Sequence, residues 1–122
     1  MNDNTKAWIA ALLSGEYKQG QERLHKIYSD GREEFCCLGV ACDLYQKAVG
    51  GLTLEVQNEN GYEQVRYNTW TGALPKEVEE WLGVIGEAKQ DILTEANDSG
   101  QTFEQIAQLI PTLLKEVPNE QV

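Results

Sequence analysis

The sequence predicts one small α+β domain of about four to five helices packed with one or two β-hairpins. A nearly uncharged run at 35–44 places Cys37, Val40, Ala41 and Leu44 at i, i+3, i+4 and i+7, the spacing of one helix face. Two pairs of extended stretches are each joined by a glycine-containing turn, which is typical of hairpins. A chain of 122 residues with 41% hydrophobic and 25% charged residues has ordinary globular composition, so we predict one domain over residues 1–122.

Helix caps and apolar periodicity predict the helices. The first begins at Asn4 or Thr5, buries Trp8, Ile9 and Leu12, and ends at the Ser-Gly pair 14–15. The others are predicted at about 37–48, 75–82, 88–96 and 102–110. A proline opens the third, whose inner face is predicted to include Trp81. Ile92, Leu93 and Ala96 face inward in the fourth, and Pro111 ends the fifth. A further turn at 112–116 precedes a tail that frays after about residue 117.

Alternation and turn residues predict the strands. An Asp-Gly turn separates strands at about 23–28 and 33–36, and the second of these leads directly into the helix at 37–48. A second hairpin joins 52–56 to 63–67 through a turn at 58–61.

The charge of the chain limits its partners. Its formal net charge is -10, and residues 55–122 hold thirteen acidic against four basic side chains. Such a field repels phosphate backbones, so generic nucleic-acid binding is not expected, whereas a partner protein with a basic surface fits. The alternative interpretation is a solvated face that keeps the protein soluble. No signal-peptide pattern or apolar run of about 20 residues is present, so we expect a cytoplasmic protein without membrane association.

The three cysteines have two interpretations. Cys36 and Cys37 lie at a predicted helix start, where the helix dipole favours a reactive thiolate. They also lie in the strongest apolar run, which favours small buried hydrophobic side chains. A Cys–His enzyme would require His25, the single histidine, to approach them across the first hairpin. The spacing matches no metal site, and no cofactor is predicted.

Two further groups could bind a ligand. Glu77, Glu79, Glu80, Glu87 and Asp91 form an acidic cluster around the predicted helix that contains Trp81, and Trp70 lies in the loop at 68–72. With Tyr67 nearby, an exposed Trp70 would anchor a partner, but it could equally cover the core.

A separate pocket for an anionic small molecule would use Arg23, Arg32 and Arg66, together with Trp70 and Tyr67.

Four ordered motifs extend over residues 8–110: W-x-x-A-L-x-S-G from Trp8, C-C-L-G-V from Cys36, L-P-x-x-V-x-x-W-L-G from Leu74, and N-D-x-G-x-x-F-x-x-I-A from Asn97. In these motifs the sequence resembles a widespread group of small, uncharacterised phage and prophage proteins. The resemblance implies a phage accessory protein in the bacterial cytoplasm and supplies no catalytic residues.

We therefore expect a non-enzymatic protein that modulates or inhibits a host defence or nucleic-acid-handling protein through its acidic surface. A nucleotide-sequestering protein and a thiol enzyme or redox switch remain the alternatives, and a homo-oligomer is allowed.

Overall fold

The computed structural model of the protein describes residues 1–83 and 85–114. In that part of the chain, five helices and four strands follow one another in the order α1 (Asp3–Leu13), β1 (His25–Ile27), β2 (Glu33–Phe35), α2 (Cys37–Ala48), β3 (Leu54–Glu59), β4 (Tyr62–Tyr67), α3 (Lys76–Trp81), α4 (Glu87–Asp98) and α5 (Phe103–Leu114). The predicted α+β class, with its five helices and two hairpins, is confirmed.

The two hairpins form one antiparallel sheet in the order β2-β1-β4-β3. Within the first hairpin His25 pairs with Phe35, and Lys26 pairs with Gln64 of the second. The β3–β4 hairpin closes on Asn60 and Gly61, the last two residues of the predicted turn at 58–61, because residues 58 and 59 still belong to β3. Gly61 has φ 95°, a left-handed conformation that glycine adopts without steric cost.

Helix α2 lies at the centre of the core. Its first six residues, Cys37–Cys42, are all buried, and α1, α3 and α4 pack around it. Trp8 of α1 is fully buried and donates its indole N–H to the Cys37 carbonyl at 2.9 Å. Leu93 of α4 and Ile106 of α5 complete this core. The run at 35–44 therefore is the packing centre that its composition indicates.

Gly39 allows α2 to contact the chain just before β1. A Cβ placed on Gly39 would lie 2.6 Å from the Leu24 carbonyl carbon and closer still to its oxygen. The same Leu24 oxygen accepts a hydrogen bond from the Cys36 N–H at 3.3 Å. A side chain at position 39 would therefore have to displace backbone, not another side chain.

Asn97 fastens the start of α2 to the rest of the protein. Its Oδ1 accepts the Cys37 N–H at 3.1 Å, and its Nδ2 donates to the Gly20 carbonyl at 2.8 Å. Cys36, the N-cap residue of α2, makes no capping bond through its own side chain. The fully buried Asn97 amide supplies that cap from a distant helix, and Gln19 Nε2 also donates to it at 3.1 Å.

Several details of the helices differ from the predictions. The N-cap of α1 is Asn2, whose Oδ1 accepts from the Thr5 N–H at 2.8 Å, because Thr5 itself turns inward and donates its hydroxyl to the Leu82 carbonyl. Ile92 is 46% exposed, since α4 directs Leu93 and Ala96 to the core instead. Trp81 is only partly buried and packs edge-on against Tyr45.

The C-terminal helix is also longer than predicted. Helix α5 continues through Pro111 to Leu114, so the predicted end at Pro111 is wrong. A proline removes one backbone donor, and the apolar face of this amphipathic helix offsets that loss by packing on the core. Residues 112–114 of the predicted turn belong to α5, while the rest of that turn and the frayed tail lie outside the described residues.

Replacing Gly39 by alanine is expected to lower the free energy of unfolding by about 3 kcal/mol or more, because the new methyl group overlaps backbone atoms of Leu24. Gly72→Ala is the matched control, since a Cβ there meets nothing within 4 Å. Its stability should change by less than about 1 kcal/mol. Urea unfolding followed by circular dichroism measures both; equal midpoints for the two variants would contradict the close approach of α2 to Leu24.

Candidate functional site

The loop between β4 and α3 presents Trp70 at the surface. The Tyr67 N–H donates to the Trp70 carbonyl at 2.9 Å, and the Trp70 N–H donates to the Tyr67 carbonyl at 3.0 Å. Asn68 and Thr69 complete this tight turn with left-handed φ angles of 51° and 73°. The Trp70 residue is 50% exposed, so it is presented to solvent and does not cover the core.

The side chain of Asn68 holds the loop in place. Its Oδ1 accepts from the Thr53 N–H at 2.7 Å, and its Nδ2 donates to Glu77 Oε2 at 2.9 Å. One amide thus joins the residue before β3 to the first turn of α3. Because the loop is fixed at both sides, the position of Trp70 is largely set before any partner binds.

A cleft of about 280 Å³ opens beside Trp70, between its loop and helices α3 and α4. Gln90 is buried at its base, where Oε1 accepts from the Leu74 N–H at 3.1 Å and Nε2 donates to the Ile85 carbonyl at 3.0 Å. Three carboxylic side chains line the cleft: Glu79, Glu87 and Asp91. Among residues 1–83 and 85–114, no basic side chain lines the cleft, so this described lining is anionic.

The predicted acidic cluster is thus divided by the fold. Glu79 and Glu87 line the cleft with Trp70, whereas Glu77 binds Asn68 and the exposed Glu80 is not part of the lining. Asp91, one turn after Glu87 on α4, adds a carboxylate that the sequence placed in the same neighbourhood.

Tyr67, which was expected to bind a partner together with Trp70, does not line this cleft. It is 2% exposed, because the alternation of β4 turns its side chain to the core.

The three arginines of the predicted anion pocket have separate partners. Arg32 contacts Asp30 at 2.7 Å in the first hairpin turn and lies over the Tyr28 ring. Arg23 lies 3.8 Å from Glu59, and Arg66 donates to the Thr69 carbonyl at 3.3 Å. None of the three lines the Trp70 cleft.

The thiols lie in the core. Cys36, Cys37 and Cys42 are all buried and free. Burial raises the pKa of Cys36 to about 11 and raises the pKa values of the other two thiols well above their usual range. These thiols are protonated at neutral pH, the opposite of what a reactive cysteine requires.

A hydrogen-bonded chain that joins the buried His25 and Tyr67 to the exposed Glu33 was not predicted. His25 stacks on Phe35, with ring centroids 4.0 Å apart. A carboxylate only accepts, so Nε2–H donates to Glu33 Oε1 at 2.6 Å, and Nδ1 then accepts from the Tyr67 hydroxyl at 2.9 Å. Both ring nitrogens are therefore occupied by residues other than cysteine.

Burial governs the protonation of this chain. Desolvation lowers the pKa of His25, an effect that Glu33 partly opposes, and desolvation raises the pKa of Tyr67 above its usual value. A neighbouring cleft of about 420 Å³ contains Glu33 and a second group in which Tyr17 donates to Asp43 and Lys47 lies 2.8 Å from Asp43. Burial and Asp43 raise the pKa of Tyr17 to about 12.

The sequence did contain a signal for the His25 chain. In an antiparallel hairpin, the pairing of His25 with Phe35 puts His25 and Glu33 on one face as diagonal neighbours. The contact with Tyr67 depends on β1 pairing with β4, which local patterns do not reveal.

Over the described ranges 1–83 and 85–114, no group of three or more histidine, cysteine or acidic residues is placed to hold a metal ion. In the same ranges, every helix is too short or too polar to cross a lipid bilayer.

The fold and cleft define a small α+β domain with an aromatic, anionic surface site. The chain belongs to the family described as Domain of unknown function (DUF8296), whose model matches residues 1–91. That range includes α1 to α3, the whole sheet and the three carboxylic residues of the cleft. Comparisons with curated proteins and with solved structures give no match.

His25 is expected to titrate below its usual pKa of 6.5 in the folded protein. Its depressed pKa means that the unfolded chain binds the proton more readily, so stability falls as pH decreases below about 6.5. Glu33→Gln should lower the pKa of His25 further, because it removes the carboxylate that favours the charged imidazole. Since the chain has one histidine, a single imidazole NMR resonance reports this titration. A pKa above 6.5, or an increase in Glu33→Gln, would contradict the assignment.

Proposed function

We propose that this protein is a non-enzymatic binding protein that takes a cationic side chain of a partner protein into the cleft beside Trp70. The observation that carries the proposal is the combination of a half-exposed indole with Glu79, Glu87 and Asp91 in one cleft whose described lining is free of basic residues. A guanidinium or ammonium group satisfies both features, because it is attracted to the face of an indole and to carboxylates.

Arginine fits this cleft better than lysine. Its planar guanidinium stacks on an aromatic face while its N–H groups remain free to donate at the edge. Glu79 from α3 and Glu87 with Asp91 from α4 line the cleft from two helices, so the several N–H donors of one guanidinium would find more than one acceptor. A fixed loop reduces the conformational entropy lost when such a side chain binds.

The wider charge distribution supports capture of a basic partner. The net charge is -10, and the acidic excess is concentrated after residue 54, in the part of the chain that forms the cleft. Such a field increases the rate of association with a positively charged surface and weakens as salt increases. The resemblance to small phage proteins supports a bacterial host protein as that partner, of the defence or nucleic-acid-handling kind whose working surface is basic. Binding there would modulate or inhibit the host protein.

Titration calorimetry with an arginine-rich peptide of blocked termini tests the cleft directly. Trp70→Ala is expected to weaken binding about fivefold, because the indole contributes roughly 1 kcal/mol to a partly exposed cation. Glu79→Gln should weaken binding by about two- to fivefold, the effect of one exposed charge pair. Both effects should shrink as ionic strength rises.

Glu80→Gln is the matched control, since it removes the same charge from the adjacent residue of α3, which does not line the cleft. Equal losses for Glu79→Gln and Glu80→Gln would mean that only overall charge matters. Unchanged binding by Trp70→Ala would remove the cleft as the site.

A further inference from the structure

In the part of the chain that the structure describes, strand β3 is an uncovered edge of the sheet. It is last in the strand order, and its residues 54–58 are exposed. Leu54 and Val56 are 44% and 59% exposed on the same face. Natural proteins protect such edges with proline, charged side chains (lysine above all), bulges or very short strands. Leu54–Glu59 has two glutamates but neither proline nor lysine, and it pairs with β4 over six consecutive residues without a bulge.

The outward backbone groups of β3 are those of Leu54, Val56 and Asn58. The hairpin closes on two residues, so Glu59 and Tyr62 form a hydrogen-bonded pair, and alternate residues along β3 then face β4. The Asn68 N–H donates to the Thr53 carbonyl at 2.8 Å, so Thr53 also directs its backbone groups towards the β4 side, as the alternation requires. Leu54, Val56 and Asn58 therefore direct their N–H and C=O groups away from the sheet.

We propose that β3 pairs with β3 of a second copy of this chain, antiparallel and with Val56 opposite Val56. In this register Leu54 of one copy faces Asn58 of the other, and all three outward residues of each copy exchange hydrogen bonds. Shifting the centre of pairing by one residue towards either end places glutamate opposite glutamate: Glu55 against Glu55, or Glu55 against Glu59. Larger shifts leave outward groups unpaired. Only the register centred on Val56 therefore both avoids glutamate opposite glutamate and pairs all the outward backbone groups of β3.

Side chains on both faces fit that register. On one face, Val56 and Leu54 of the two copies form an apolar row across the new pair of strands. On the other face, Gln57 lies opposite Glu55 of the second copy. Gln57 Oε1 accepts from Gln64 at 2.9 Å, which leaves its Nε2 group to donate to that carboxylate. Arg23, 3.8 Å from Glu59, offsets negative charge at the end of the strand and so reduces repulsion between two acidic copies.

Sedimentation velocity of the full chain over a range of concentrations tests the association. A concentration-dependent dimer is expected; a monomer at every concentration would overturn the proposal and would favour a peptide of another protein as the occupant of this edge. The result is independent of peptide binding at the Trp70 cleft.

Cysteine cross-linking then tests the register. Val56→Cys places two thiols on directly opposed residues, whose Cα atoms lie about 5.5 Å apart, within disulfide range. Gln57→Cys is the matched control, because its Cα atoms would be about 8 Å apart, outside that range. The three native thiols are buried and do not compete. Non-reducing electrophoresis should show a covalent dimer for Val56→Cys alone; cross-linking of Gln57→Cys, or none of Val56→Cys, would contradict this pairing.

Charge changes on the same strand provide a test without cross-linking. Gln57→Lys, opposite Glu55 of the second copy, should tighten the dimer on the order of tenfold, and Gln57→Glu should weaken it by a similar factor. The same substitutions at Gln108, exposed on α5, control for net charge. If the substitutions at positions 57 and 108 changed the dimer affinity equally, the proposed register would be overturned.

Discussion

A single buried amide, that of Asn97, connects the parts of this protein that are far apart in sequence. It caps the first N–H of α2, binds the Gly20 carbonyl and accepts from Gln19. Gln19 in turn accepts the Phe103 N–H at 2.9 Å, so the junction of α4 and α5 is held against the segment before β1. An unmet backbone donor in the core costs about 1–3 kcal/mol, and Asn97 prevents that cost at the start of the most buried helix.

This arrangement brings Leu24 onto α2 and explains why position 39 is glycine. Once the start of α2 is fixed by Asn97, the Leu24 carbonyl approaches the helix at its third residue. Strand β1 follows immediately, and β4 pairs beside it, so the sheet is oriented by the same contact. The thiols of Cys36 and Cys37 occupy this junction as small apolar side chains, where burial suppresses their ionisation.

Local features were predictable because they depend on neighbours in sequence. Three examples are the Asp-Gly turn between β1 and β2, the two glycines at 50–51 after the end of α2, and the apolar face of α5. Each of these patterns acts on residues that are close to it in sequence. The pairing of β1 with β4, the role of Asn97 and the exposure of Ile92 depend on contacts between distant segments. Asn97 appeared from sequence only as the first residue of a motif, and the length of α5 beyond Pro111 reflects packing that overrides a local preference.

The candidate site shows the same division. Trp70 and its neighbouring acids were identifiable by composition, but which acids share a cleft follows from how α3 and α4 pack: Glu79 and Glu87 do, and Glu80 does not. The Tyr67 side chain lies on the core side of β4, where it hydrogen-bonds to His25 and does not join the Trp70 cleft. Asn68 links the Trp70 cleft to the edge strand β3, because it holds the Trp70 loop and also binds the residue that precedes β3.

Amide and indole NMR of the protein titrated with the arginine-rich peptide tests most directly whether a cationic side chain binds in the cleft beside Trp70. The three tryptophans give three indole N–H signals. We expect the Trp70 indole and the backbone signals of Gly72, Glu79 and Glu87 to shift together, while the Trp8 indole, which donates to Cys37 in the core, does not shift. Shifts concentrated elsewhere, with Trp70 unchanged, would contradict binding in this cleft.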